Sequence, residues 1–302
     1  MKKLLFLTAL AAVVLAGCKP ELVVSEDGTK DFPYLISTAK QLADLAKEVN
    51  NGEDQAYIYY KLTANIDLKN YKSGEGWTPI GKQGKPFKGN FDGGGYIISN
   101  LYIKSNESDI GLFGYVESCS IKNMGVKGIV EGSDNVGGIV GYLRDSNLEN
   151  CYWRGDVTGK SNVGGIAGEV VQRSTVHSCY TTGMVKGIAY CGGVAGIAQF
   201  GSIENCAALN SEIKRIDGSS SDFGRVAGFM NERDNFAWKG MKVKGDIVSK
   251  SYIDGDDMSK EKLGMARTFD KYFKPPLWKK VNGYLPGFKG KTEKEKMPDY
   301  IK

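Results

Sequence analysis

The chain has 302 residues, with glycine as its compositional outlier at 40 positions. Its formal net charge of +5 falls to +3 once Lys2 and Lys3 are discounted, which is not the footprint of a nucleic-acid binder. Cys119, Cys151, Cys179, Cys191 and Cys206 follow Cys18, and an odd number of thiols argues against a complete disulfide framework.

Residues 1–17 have the layout of a secretory signal: Met1-Lys2-Lys3, an apolar run from Leu4 to Leu15, then Ala16-Gly17. The run is too short to span a bilayer as a mature helix. Cys18 directly after the small residues resembles the lipobox of bacterial lipoproteins. The resemblance implies cleavage before Cys18 and a diacylglyceryl thioether with an N-acyl chain of the palmitate kind. Two such acyl signals hold a protein on its membrane, at about 0.8 kcal/mol per buried methylene. Lys19, in place of Asp, resembles the lipoproteins released to the outer membrane, so the expected location is outer membrane or cell surface. Residues 18–30 carry no pattern and are expected to act as a tether.

Residues 31–60 read as an N-terminal cap. Thr38-Ala-Lys-Gln41 has capping-box spacing, Leu42, Leu45, Ala46 and Val49 fall at i, i+3, i+4, i+7, and Gly52 supplies the stop, so a helix is expected over 38–51.

Residues 61–250 are organised by a repeat. Gly111-Leu-Phe-Gly114, Gly138-Ile-Val-Gly141, Gly165-Ile-Ala-Gly168 and Gly193-Val-Ala-Gly196 begin 27, 27 and 28 residues apart, with a degenerate Arg225-Val-Ala-Gly228 after them. A second signature follows each full copy: Ile121-Lys-Asn-Met124, Leu148-Glu-Asn-Cys151, Val176-His-Ser-Cys179 and Ile203-Glu-Asn-Cys206. The units hold short β-branched stretches bounded by Gly, Asn, Asp and Ser, without helical periodicity. A unit of that size buries no core alone and must stack on its neighbours. The expected fold is therefore all-β dominated: a parallel β-solenoid with one coil per repeat and coils about 4.8 Å apart.

Two stretches carry a family resemblance: Asn135-Val-Gly-Gly-Ile-Val-Gly141 with Leu148-Glu-Asn-Cys-Tyr152, and Asn162-Val-Gly-Gly-Ile-Ala-Gly168 with Val176-His-Ser-Cys-Tyr180. They resemble the GLUG motif of bacterial cell-surface and adhesin-like proteins. Trp77-Thr-Pro-Ile-Gly81, Phe87-Lys-Gly-Asn-Phe-Asp-Gly93 and Ile98-Ser-Asn-Leu101 resemble the lead-in that accompanies the motif, so the resemblance covers roughly residues 30–290. Cys206-Ala-Ala and Gly224-Arg depart from the pattern, and the solenoid is expected to fade there. Residues 251–290 are expected to form a C-terminal cap, with a helix from Ser259 to about Phe273 and a two-residue hairpin turn at Asn282-Gly283. The charged remainder, 291–302, is expected to be loose.

Stacking turns equivalent residues into columns. Met124, Cys151, Cys179 and Cys206 form one apolar column, poorly placed for the roughly 3.8 Å Cβ separation of a disulfide. Cys191 takes the core slot of Val136 and Val163. Cys119 aligns with Ser146 and Ser174, polar positions, and is the thiol expected to be exposed. Asn123, Asn150, Ser178 and Asn205 form a corner column suited to hydrogen bonds along the axis. Lys122, Glu149, His177 and Glu204 form a row that puts the one histidine between two glutamates roughly 9.6 Å apart, the outer edge of inverting-glycosidase geometry. An outward charge ladder is the favoured reading of that row, and Glu149, His177 and Glu204 are the catalytic candidates if the chain is an enzyme. Tyr152, Trp153 and Tyr180 are the ligand-binding candidates, as an exposed aromatic platform for sugar rings. Asp254-Gly-Asp-Asp257 lacks the closing Glu of a calcium loop and reads as an acidic turn.

No nucleophile motif, phosphate loop, zinc spacing or dinucleotide fingerprint appears, and no cofactor or metal is expected. The leading expectation is a membrane-anchored surface lipoprotein, an adhesin-like module for a glycan or a host or partner protein. A polysaccharide lyase or hydrolase on a β-helix and a scaffold of a surface assembly are the alternatives.

Overall fold

The computed structural model describes residues 27–217, 222–230, 234–244, 251–291 and 294–301; Cys18 and the expected signal lie outside them. The fold is a parallel β-solenoid. Among the described residues its rungs form a 16-stranded, a 5-stranded and a 4-stranded sheet, with every pairing inside them parallel. Asn147–Thr158 pairs in register with Ser120–Glu131 along its length, and Tyr152 stands on Gly125 as the 27-residue offset requires.

Left-handed residues make the corners. Asn123, Asn150, Ser178 and Asn205 have φ between 51° and 60°, and Asp109, Asn135, Asn162 and Tyr190 between 49° and 59°. Asn and Asp reach this region at least cost because their short polar side chains bond locally. One such residue breaks strand alternation, so Ile121 and Met124, three apart, are both fully buried. The second glycine of each signature answers to the same corners. A Cβ on Gly141 would lie 2.3 Å from the Asp109 carbonyl carbon, and one on Gly168 would lie 2.3 Å from that of Asn135.

The core is a set of axial columns: Ile121, Leu148, Val176 and Ile203; Met124, Cys151, Cys179 and Cys206; Val136, Val163, Cys191 and Phe223. All twelve are fully buried. Cys119 overturns its expectation, being buried among Phe87 and Ser146. Its serine column is itself interior, because Ser146 and Ser174 spend their hydroxyls on the Arg144 and Leu143 carbonyls.

The front helix spans Ala39–Asn51, with the Thr38–Gln41 capping box formed and Gly52 at φ 96°. Leu42, Leu45, Ala46 and Val49 continue the solenoid core, and Asn50 bonds to Pro79 and Gly81 of the first coils. Parallel rungs begin ahead of residue 61, since Tyr34–Ile36 already pairs with Tyr59–Leu62. At the rear, Ile253 closes the core, and Arg225 pairs with Asp254 and Asp257 of the acidic turn.

The last segment departs from expectation. Ser259 does N-cap a helix, but it spans only Lys260–Leu263 before Gly264, with a 3-10 turn at Ala266–Phe269. Trp278–Lys279 pairs with Gly287–Phe288 through a seven-residue connection, wider than the two-residue turn that Asn282-Gly283 suggests. This segment does not cap the end of the stack: it lies along the flank, and the tail is not loose. Met297 and Ile301 are buried, and Glu295 pairs with Lys127 and Arg154, register partners on adjacent coils.

Candidate functional site

Three outward rows carry the side chains that bear on function. The first runs Lys61, Asp92, Lys122, Glu149, His177, Glu204, each in register with the next. Its signs alternate from Lys61 to Glu149, which is how cross-strand neighbours are arranged to attract. Glu149 accepts from the Asn150 amide at 3.0 Å, and His177 Nε2 lies 3.1 Å from the Asn205 amide nitrogen. With that amide donating, Nε2 accepts and the ring proton sits on Nδ1. Glu149 is exposed, and His177 and Glu204 are half-buried on an open rung. The hydrogen bonds to Glu149 and His177 come from the corner asparagines beside the row.

The second row holds Tyr152 and Tyr180, and here the expectation of an exposed platform is corrected. The rings do stack, 4.9 Å between centroids at 11°, yet they are 2% and 1% exposed. The C-terminal segment covers them. Phe288 stacks on Tyr152 at 5.7 Å, Phe273 meets Tyr180 edge-on at 5.8 Å, and the Tyr180 hydroxyl donates to the Pro286 carbonyl at 2.8 Å. Trp278 reaches Asn150 through its indole N–H at 3.0 Å. The surface suited to a ligand's rings is filled by the chain's own. Trp153 points the other way, into the solenoid interior, against Gly138.

The third row is one that the motif reading passes over. Tyr115, Tyr142, Glu169, Ile197 and Phe229 stand in register on the five-stranded sheet and are all partly exposed. Each is the residue directly after the second signature glycine, a position the repeat alignment contains. Tyr115 and Tyr142 stack at 4.6 Å and 23°. Beside them runs a ladder of corner residues: the Asn162 amide donates to Asn135 at 2.8 Å and to Glu169 at 3.3 Å, and the Asn135 amide donates to Asp109 at 2.8 Å. Burial raises the Glu169 carboxyl above its usual range, with the Asn162 bond opposing and Asp109 reinforcing the rise. Burial likewise pushes the Tyr142 hydroxyl up to about 12, with Glu169 and Tyr115 adding to it. Asp109 also borders a cleft of ≈ 550 Å³ lined by Glu75, Pro79, Lys82 and Glu107.

Among the described residues no three His, Cys, Asp or Glu side chains are grouped to hold a metal ion, and no helix is long and apolar enough to cross a membrane.

Comparison with known proteins places these rows in context. Residues 132–158 match the GLUG motif. The chain is 35% identical over 106 residues to a protein of Evansella cellulosilytica provisionally named a Gly-rich membrane protein, a match covering 34% of this chain and 12% of that one. It is 32% identical over 124 residues to halomucin of Haloquadratum walsbyi, covering 37% of this chain and 1% of that protein. The chain thus spans a small part of the curated relatives it matches. A crystal structure from Bacteroides ovatus, provisionally described as an immunoglobulin A1 protease, superposes with a TM-score of 0.63 at 22% identity, covering 87% of this chain and 94% of that one. That likeness is one of fold.

Proposed function

For a chain that carries the GLUG motif on a parallel β-solenoid, we propose a surface binding module, held on its membrane by acylated Cys18, that engages a glycan or a host or partner protein. The observation that carries the reading is the register itself. Side chains on successive coils stand in line along the axis, so a row such as Tyr115, Tyr142, Glu169 offers repeated contacts to an extended partner. Rows on a rigid stack are also pre-organised, which lowers the ordering cost of binding. The name of the Evansella relative as a membrane protein supports the location, and the lipobox-like Leu15-Ala16-Gly17-Cys18 supports the anchor.

The test has a binding arm and an anchoring arm. Mature protein, confirmed folded by its unfolding transition, is applied to a glycan array and a panel of extracellular-matrix proteins, and micromolar binding to at least one class is expected. Uniform failure to bind overturns the reading. Palmitate labelling of the full chain in its host is expected to disappear in Cys18→Ala, and labelling that survives overturns the anchor.

A further inference from the structure

Tyr115 and Tyr142 form a stack that stops after two rings. Their centroid spacing of 4.6 Å matches the separation of adjacent coils, so the ring faces point along the solenoid axis. Tyr142 therefore turns one face to Tyr115 and the other toward the next rung. That rung carries Glu169 where a third ring would stand, and Ile197 follows it. Glu169 is drawn toward the corner by the Asn162 amide at 3.3 Å. The result is an aromatic face with a carboxylate and an amide at its margin, on a sheet that no other segment of the described residues covers in the way that Phe288 and Trp278 cover Tyr152.

We propose that Tyr142, Glu169 and Asn162 form a subsite for a neutral sugar ring, which continues the tyrosine stack over the Glu169 rung. A sugar presents an apolar C–H face to the tyrosine, and its hydroxyls donate to the carboxylate and to the Asn162 amide oxygen, the amide protons being held by Asn135 and Glu169. The charge on the rim selects among sugars. Asp109, which adjoins Asn135 on the same ladder, and Glu169 place two carboxylates beside the platform, and an acidic sugar brought there would meet like charge in a partly desolvated setting. Arg144 does not offset this, because its charge is met by Glu117 at 3.6 Å and by Asp145 at 4.0 Å. The ligand class is thus a neutral oligosaccharide, lying along the axis with one ring against Tyr142 and further rings toward Ile197 and Phe229, the apolar continuation of the row.

The proposal rests on the reading of the chain as a glycan-binding module, and the experiment separates the two. Mature protein is titrated calorimetrically with neutral hexasaccharides of glucan, mannan and galactan type and with an oligogalacturonate. At least one neutral hexasaccharide is expected to bind, with the acidic one weaker. Tyr142→Ala and Glu169→Gln are each expected to weaken binding about tenfold or more, equivalent to about 1.4 kcal/mol. Tyr142→Phe, which keeps the ring, is expected to stay within about threefold of wild type. His177→Ala, on a different face, should leave affinity unchanged. Neutral binding that survives Tyr142→Ala and Glu169→Gln overturns the subsite and leaves glycan binding standing. Binding that is lost equally in His177→Ala, or that favours the acidic sugar, also overturns the subsite. No binding by any oligosaccharide overturns both. Matching thermal midpoints of the variants exclude unfolding as the cause of a loss.

Discussion

A column position decides what each thiol can do. Cys151, Cys179 and Cys206 lie in the dry interior, where burial raises Cys179 well above the ordinary thiol range. Cys119 is the instructive case, because its serine partners in the alignment suggest a polar surface, and the serines prove to be interior groups satisfied by backbone carbonyls. Burial pushes its thiol from 9.0 up to about 12. The unfolded thiol ionises near the lower value and the folded one does not, so stability is fully present below pH 9 and falls as pH rises toward 12. Relative to Cys119→Ala, the wild type is expected to lose up to about 1.4 kcal/mol per pH unit across that window, read from urea midpoints. A difference between the two that stays flat with pH would contradict the burial.

At the level of elements, strand length and corner chemistry follow the quality of the repeat. Ser120–Glu131 and Asn147–Thr158 run for twelve residues each, whereas the next coil is divided into Thr175–His177, Tyr180–Thr182 and Met184–Gly187. The change falls where Ser178 replaces the corner Asn and where Gly183, the equivalent of Gly155 at φ 150°, turns to φ 100°. Side-chain size is matched across coils in the same way. Trp153 lies over Gly138, while in the next coil Thr181 faces Gly165. A Cβ on Gly138 would approach the Trp153 ring to 2.1 Å and the Gly165 carbonyl oxygen to 2.6 Å. Gly138→Ala should therefore cost about 1–3 kcal/mol as overpacking. Adding Trp153→Val should recover part of that loss in a double-mutant cycle, and strictly additive costs would show that the two do not compete for the same space.

For the whole molecule, the C-terminal segment matters as much as the stack. It builds a second core with the outer face of the solenoid, in which Trp278 packs on Phe288 at 4.5 Å and on Tyr180 at 6.0 Å. Trp278 is 3% exposed, so Trp278→Ala is expected to cost about 3–5 kcal/mol. The same variant should uncover Tyr152 and Tyr180 and bind a hydrophobic dye before the main unfolding transition. Unchanged stability and dye binding would show that the flank segment is not integral to the fold.

Much of this molecule is written in local periodicity. The 27-residue offset, the corner Asn residues and the glycines determine the parallel stack and its core columns, because each residue's neighbours in a solenoid are its own equivalents one coil away. Row identity is legible for the same reason, and the Lys122, Glu149, His177, Glu204 register follows directly from alignment. Which outward row stays open was decided only by the tertiary structure. Tyr152 meets Phe288 through a segment that does not repeat, so nothing in the period announces that this row is covered. Tyr115 and Tyr142 are left open for the complementary reason: no such segment lies on their sheet among the described residues. Exposure belongs to the packing of a non-repeating element against a repeating one, and that depends on complementary shape and apolar area across more than a hundred residues of chain.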